Sequence, residues 1–371
     1  MRILIATDAW RPQVNGVVST LERMTQAAAE FGATFDFVTP QGMWTAPMPT
    51  YPDIRVAITT PRRIARRIEE AAPDHIHIAT EGPIGWLTRR YCLKTKRIFT
   101  TSYHTRFPEY IRARTGIPET LTYAWLRRFH APSAAVMAPT PTIGAELTNR
   151  GFEKVRLWTR GVNHAMFRPR PDAVLDLPRP IFLSVGRVAV EKNLEALLDL
   201  DLPGSTVIVG DGPARASLER RYPQAHFLGA RHGEALADIY ASADVFVFPS
   251  RTDTFGIVLI EAMASGLPVA AFPVPGPIDV VGPGAGILDE DLRAACLEAL
   301  TIRREAAREY SLRFTWKESA RQFLENVEAA RTASISCRNG LGSSTKSIVA
   351  VAARRDWRAS TSVPYGNSSR R

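Results

Sequence analysis

Cysteine is scarce in this chain of 371 residues, and the three present, Cys92, Cys296 and Cys337, lie far apart. Their odd number and wide spacing exclude a disulfide framework or a thiolate metal site and predict a reducing, cytoplasmic compartment. Long apolar runs are missing as well. The amino terminus offers only Ile3 to Ala6 before Asp8 interrupts, which is too short for a signal peptide and reads as a buried first strand. No later stretch reaches the roughly 18 apolar residues that a membrane span needs, so any membrane contact is expected to be peripheral. A Gly-x-Gly-x-x-Gly fingerprint is also absent after the first strand. Gly210-Asp211-Gly212 lacks the third glycine because Arg215 stands in its place, which leaves a nicotinamide oxidoreductase only as a remote alternative.

What is present is enough apolar residue, 45%, and enough length for two hydrophobic cores. The net charge of +10 is unevenly spread. Between Arg55 and Arg128 fifteen basic residues face six acids, and from residue 331 onward eight face only Asp356. Basicity therefore belongs to the first half and the tail, and the rest of the chain is net acidic. Such a patch attracts phosphate on an anionic lipid surface or on a nucleic acid. Aromatic residues do not interleave with it as a stacking platform requires, so no nucleic-acid partner is expected.

Short apolar runs alternate with helical patterns along the chain. Candidate strands are 2–7, 34–38, 75–78, 97–102 and 135–139, then 181–185, 206–209, 226–228, 244–248 and 268–272. This βα alternation predicts an α/β protein with two parallel-sheet, Rossmann-like domains facing each other. The expected divisions are 1–168, 169–309, a helix over 310–330 that crosses back to the first domain, and a disordered tail over 331–371. In such sheets ligands bind outside the carboxyl ends of the strands, so the loops there are the places to look.

The candidate strand 181–185 delivers Arg187 and Lys192, followed by a helix expected near Asn193. Two cations beside a helix amino terminus suit a diphosphate, although a solvated loop would carry the same charges. After the strand 244–248 come Asp253, Thr254, Phe255 and Gly256, which lead into a helix ended by Gly266 and Pro268. Backbone N–H groups at Thr254, Phe255 and Gly256 are placed to bind an anion. Glu261 stands eight residues after Asp253 among Ile257, Val258, Leu259, Ile260, Ala262 and Met263. A carboxylate so surrounded needs hydroxyl donors or an arginine. The pair Asp199 and Asp201 follows a helical pattern rather than a strand and reads as surface charge, so no metal site is expected.

The run from Asp253 to Pro268, DTFGIVLIEAMASGLP, resembles the acid-x7-Glu signature of glycosyltransferase family 4. FLSVGR with Lys192, VGDGP, RGV before Phe167 and the amino-terminal NGV are similar to that family's other blocks, in the right order over about residues 1–330. The resemblance implies a GT-B fold and a retaining transferase that moves a hexose from a UDP- or GDP-sugar, with no cofactor or metal ion. It implies that Arg187 and Lys192 neutralise the donor diphosphate, that Glu261 binds the ribose hydroxyls, and that Asp253 with the following backbone holds the sugar. Gly16 would let the backbone approach the diphosphate. Two departures stand out: Asp253 replaces the usual first glutamate, and Asn163 replaces the aspartate of RGVD, where an amide can keep the same turn. His104, within YHTRFPEY, is placed as in members that glycosylate lipids, including diacylglycerol glycosyltransferases and mannosyltransferases. The implied partners are the nucleotide sugar, a lipid acceptor and the anionic inner face of the cell membrane; a soluble or polysaccharide acceptor is the alternative.

For that membrane contact the sequence offers a helix capped by Thr60 with Pro61 in its first turn. Arg62, Arg63, Arg66 and Arg67 flank Ile64 and Ile68. The pattern predicts a helix lying in the headgroup plane, or else a solvated helix whose isoleucines face the domain core.

Overall fold

A computed structural model describes residues 1–11, 15–48, 51–171 and 174–338. The strands are β1 (Arg2–Ala6), β2 (Thr34–Val38), β3 (Trp44–Met48), β4 (Tyr51–Ile58), β5 (His75–Ile78), β6 (Phe99–Ser102), β7 (Val136–Ala138) and β8 (Val155–Leu157). Later come β9 (Ile181–Val185), β10 (Ser205–Val209), β11 (His226–Phe227), β12 (Val245–Phe248), β13 (Val269–Ala271) and β14 (Gly286–Leu288). Two six-stranded sheets result, ordered β2-β1-β5-β6-β7-β8 and β11-β10-β9-β12-β13-β14, and every neighbouring pair in both is parallel. A helix separates most consecutive strands, as parallel pairing requires.

In both sheets the chain order reverses beside the first strand of the unit, between β1 and β5 and between β9 and β12. Those are the two switch points where open α/β sheets hold ligands. The sheets are buried on both faces, with Ile3 and Ile5 packed under one set of helices and Leu4 and Ala6 under another. Ile181, Leu183, Phe182 and Ile208 divide in the same way between the two cores of the second sheet.

Three features differ from the sequence expectation. β8 and β14 are edge strands of three residues, too short to leave a periodic signature, and β3 and β4 form an antiparallel hairpin outside the main sheets. The helix returning to the first domain begins at Trp316 rather than residue 310, because Tyr310 ends a separate helix, Arg304–Ser311, that packs on the second core. It also runs on to Arg338, so residues 331–338, expected in the tail, are helical; 339–371 lie outside the described residues. Ala320, Phe323 and Val327 of this helix enter the same core as Ile3, Ile5 and Leu21.

The helix Pro61–Ala71 forms as expected, with the Thr60 hydroxyl accepting the Arg63 N–H. Its isoleucines do not face a membrane. Ile64 and Ile68 are fully buried against Leu4, Val38 and Ile76, so the headgroup-plane reading of the stripe is overturned by the domain's need for a core. Among the described residues no helix is long and apolar enough to cross a membrane. Cys92 and Cys296 are buried thiols whose pKa burial pushes up to about 12.

Candidate functional site

Because β9 and β12 are neighbours, the loops leaving their carboxyl ends lie side by side. Lys192 from one and Asp253 from the other meet in a bidentate ion pair, Nζ to the two carboxylate oxygens at 2.7 and 2.8 Å. Arg187 is half-buried in the same β9 loop. The expected helix near Asn193 is reduced to Glu195–Leu198, and Asn193 itself is left-handed, so the cations sit on a compact loop rather than at a long helix terminus. That loop is braced from behind by Gly210-Asp211-Gly212. A Cβ on Gly210 would fall 1.8 Å from the Gly186 carbonyl oxygen, so only glycine permits the approach. The Val188 N–H donates to the Asp211 carbonyl.

Asp253 precedes the helix instead of opening it. Gly256, left-handed at φ 80°, turns the chain into Ile257–Ala264, and a Cβ there would meet Leu259 at 2.9 Å. Phe255 is buried in the second core against Phe314, so only its backbone is available to a ligand. The Thr254 hydroxyl donates to the His104 carbonyl at 2.7 Å, a contact across the cleft between the two sheets. Thr142 and Asp279 make a second such contact.

Glu261 lies in the second turn of that helix, and its carboxylate accepts the Tyr240 hydroxyl at 3.1 Å. The hydroxyl donor demanded by its apolar surroundings is thus present, and no ion pair to an arginine is found among the described residues. Burial raises its pKa to about 7, with Tyr240 and the more distant Arg23 opposing the shift. Such a carboxyl is poised to ionise when a polar ligand replaces the missing solvent.

On the opposite wall Asn15 caps the helix Gly16–Ala28 by accepting the N–H groups of Val17 and Val18. A Cβ on Gly16 would reach only Ile257, at an ordinary 3.8 Å, so the fold itself does not demand glycine at this point. His104 follows β6. Its Nδ1 is 3.1 Å from an Arg160 Nη2 and its Nε2 is 2.9 Å from the Ser102 hydroxyl. Arginine has no lone pair to offer, so Nδ1 accepts and the ring proton sits on Nε2. Burial, with Arg160 and His77 nearby, holds the His104 pKa well below the ordinary 6.5, and the ring is neutral.

Arg160 is a functional residue that reading of the sequence missed. It is 3% exposed, stacks over Trp158 at 4.4 Å, donates to the carbonyls of Trp158 and Thr159, and fixes the His104 tautomer. Burial lowers its pKa to about 9. The signal was its place at the head of the RGV block, whose asparagine behaves as expected: Asn163 Oδ1 accepts the N–H groups of Ala165 and Met166. Within YHTRFPEY, Arg106 pairs with Glu109 and Glu146 and Tyr123 donates to Glu109, so that loop's charges anchor it internally. Asp199 accepts the Tyr222 hydroxyl beside the exposed Asp201. Among the described residues no group of three or more His, Cys, Asp or Glu is arranged to hold a metal ion.

A two-sheet fold with this cleft is that of the GT-B transferases, and comparison with known proteins identifies the family. Residues 14–165 match the family model for glycosyltransferase family 4, and residues 179–301 match that for glycosyl transferases group 1. A GDP-mannose-dependent alpha-mannosyltransferase of Mycobacterium tuberculosis is 30% identical over 89% of this chain and 97% of its own length. The enzyme of that name from Mycolicibacterium smegmatis is 31% identical with the same coverage. An alpha-monoglucosyldiacylglycerol synthase of Streptococcus pneumoniae is 27% identical over 81% of this chain and 78% of its own. Among solved structures, a sucrose-phosphate synthase from Thermosynechococcus elongatus superposes with TM-score 0.71 at 21% identity, over 90% of this chain and 99% of that one. The chain belongs to the retaining glycosyltransferases of family 4, and it is a hexosyltransferase.

Proposed function

We propose that the protein transfers a hexose from UDP-hexose or GDP-mannose to a membrane lipid acceptor such as diacylglycerol, at the inner face of the cell membrane. The observation that carries this reading is the Lys192–Asp253 pair at the carboxyl ends of the second sheet, next to Thr254, which bonds the His104 carbonyl across the cleft. Arg187 and Lys192 meet the donor diphosphate; Lys192 exchanges Asp253 for phosphate oxygens, which frees Asp253 to accept sugar hydroxyls. Glu261 accepts the ribose hydroxyls. Breaking the glycosidic bond to the diphosphate leaves positive charge on the anomeric carbon and negative charge on the departing phosphate, which these cations and the N–H groups around Thr254 to Gly256 stabilise. Neutral His104, with both ring nitrogens held by Arg160 and Ser102, positions the sugar by the contact of its fixed ring rather than attacking it.

The mycobacterial relatives, named for GDP-mannose, favour that donor, and the diacylglycerol-named relative favours a lipid acceptor. The first half supplies a docking surface. Arg62 and Arg66 are exposed, and beside them Trp44 and Ile58, paired across the β3–β4 hairpin, are 82% and 62% exposed. An exposed tryptophan and isoleucine next to arginines suit an interfacial contact. The test is incubation of the enzyme and anionic vesicles containing diacylglycerol with labelled UDP- and GDP-sugars, with and without a divalent-metal chelator. A lipid product formed equally in chelator is expected. Product only on soluble acceptors rejects the lipid assignment, and activity restored only by added metal rejects the metal-free mechanism.

A further inference from the structure

At the end of the first sheet opposite the catalytic cleft lies a cavity of about 320 Å³, lined among others by Asp74, His75, Lys96, Arg97 and Arg331. It has room for a phosphate group and several waters at about 30 Å³ each. Three cations and one carboxylate line it, and Arg331 also lies 3.6 Å from Glu328 on its own helix, a mostly exposed pair that costs little to exchange. Asp74 is already occupied, because its Oδ2 accepts the Arg2 N–H at 2.8 Å.

His75 makes the cavity more than a basic surface. The ring is 2% exposed, yet its Nδ1 has no hydrogen-bond partner. Its other nitrogen belongs to a buried chain. His75 Nε2 is 3.0 Å from Thr100 Oγ1, which is 2.9 Å from His77 Nδ1. His77 Nε2 is 3.1 Å from Ser102 Oγ, and that oxygen is 2.9 Å from His104 Nε2. The alternation of side chains along a strand puts His75 and His77 of β5 opposite Thr100 and Ser102 of β6 on one face of the sheet.

Arg160 sets the direction of this chain. It can only donate, so His104 carries its proton on Nε2 and donates to Ser102. The serine hydroxyl turns its proton to the nearer acceptor, His77 Nε2 at 3.1 Å, rather than to the Ala79 carbonyl at 3.5 Å. His77 then donates from Nδ1 to Thr100, and Thr100 donates to His75 Nε2. A neutral imidazole with Nε2 accepting bears its proton on Nδ1. The unpartnered atom is therefore a buried N–H donor, which costs free energy until an acceptor arrives. Burial and Arg331 hold the His75 pKa down to about 3, so the ring stays neutral.

We infer that this cavity is a phosphate-binding site, in which Lys96, Arg97 and Arg331 supply charge and His75 Nδ1–H donates to a phosphate oxygen. The site is separate from the donor cleft and joined to His104 by the hydrogen-bonded chain. The phosphate belongs to a free phosphomonoester or to a lipid headgroup.

Titration calorimetry with inorganic phosphate at constant ionic strength tests the site on the full-length enzyme. Saturable binding is expected in wild type and in Lys192→Ala, which cripples the donor site. It should weaken about tenfold for each of Arg97→Gln and Arg331→Gln, the loss of one charge-assisted contact. Lys96→Gln provides a further variant should either melt early. With ¹⁵N-labelled histidine, the His75 Nδ1–H resonance is expected to move downfield on phosphate addition. Binding that vanishes in Lys192→Ala and survives Arg97→Gln and Arg331→Gln overturns the proposal, as does no binding or an unmoved His75 resonance. Repeating the titration with glycerol phosphate and with phosphatidic acid vesicles separates the two sources: response to both, or to vesicles alone, identifies a headgroup site, and response to the soluble ester alone a metabolite site.

Discussion

The two halves of the molecule each carry a six-stranded parallel sheet but build their sides of the cleft from different interactions. In the second half Lys192 and Asp253 hold each other through a partly exposed ion pair, 23% and 18% exposed. In the first half His104 is fixed by the uncharged Ser102 hydroxyl and by an arginine that is itself buried. A partly solvated ion pair costs little to exchange for another charged partner. A buried network is costly to break because each abandoned group stays desolvated. The difference teaches a division of labour: the second half's side of the cleft is made of contacts that a ligand can swap, and the first half's side of contacts that hold one geometry.

The largest expected effect breaks the separation of the halves. The helix Trp316–Arg338 follows the second half in sequence yet supplies Ala320, Phe323 and Val327 to the first core, and its Ser319 accepts the Trp158 indole N–H. Losing one buried phenylalanine costs about 3–5 kcal/mol, and losing the whole helix exceeds the roughly 5–15 kcal/mol that holds a typical domain together. A chain ending at Thr315 should therefore be insoluble, whereas one ending at Arg338 should melt like the full chain. Solubility and calorimetric melting of the two decide this.

Next in size is Lys192→Ala. If the second half works by exchanging charge partners, losing this cation removes stabilisation of the departing diphosphate, worth about 100- to 1,000-fold in kcat by analogy with a lost oxyanion donor. The melting temperature should move little, because the pair is partly solvated. Nucleotide-sugar turnover with parallel melting curves reads both. Near-normal turnover would remove Lys192 from the donor site.

How far these residues were legible follows from the same contrast. Contacts that swap sit in contiguous loops with fixed spacing, so Arg187, Lys192, Asp253 and Glu261 were readable as a pattern. The Arg160–His104–Ser102 arrangement joins the ends of two strands, β6 and β8, in space, and only the loop position of His104 hinted at it. Short edge strands and the hairpin left no periodic trace. The fate of Ile64 and Ile68 was undecidable from spacing alone, since a stripe facing a core and a stripe facing lipid have the same period. The start of the last helix was misplaced because the sequence keeps a helical pattern through Tyr310, and the break at 312–315 carries no proline or glycine to mark it.

A smaller effect sharpens the comparison at Glu261. Its folded pKa of about 7 lies above the ordinary value of 4.5 for an exposed glutamate. The native state therefore holds an extra proton between those values, and stability falls as pH rises through that window. Glu261→Gln should abolish that fall and stabilise the protein at pH 8 by up to about 3 kcal/mol. The amide oxygen still accepts from Tyr240, but as a weaker acceptor for hydroxyls it should bind nucleotide roughly tenfold less tightly. Melting from pH 4 to 9 beside nucleotide titration checks both. A pH-independent difference between the proteins would mean that this carboxyl does not titrate in the folded state.

The smallest effect on the catalytic core is expected at the proposed docking surface, where the exposed first-half charge would serve a membrane rather than the fold. Of the four arginines on the helix Pro61–Ala71, Arg62 and Arg66 are exposed, while Arg63 and Arg67 are half-buried and Arg63 donates to the Gly42 carbonyl. Each arginine near an anionic surface contributes about 1 kcal/mol. The two exposed ones supply about 2 kcal/mol, roughly thirtyfold in affinity. Replacing both with glutamate should reverse that attraction, and Trp44→Ser with Ile58→Ser should remove the apolar part separately. The two losses differ in salt dependence, since raising ionic strength from 0.1 to 1 M shortens the screening length from about 10 to 3 Å. Cosedimentation with anionic vesicles should weaken with salt in the hairpin variant, which keeps its arginines, and much less in the charge-reversed one, while both retain wild-type nucleotide binding. Vesicle binding untouched by either pair would move the membrane contact away from this face.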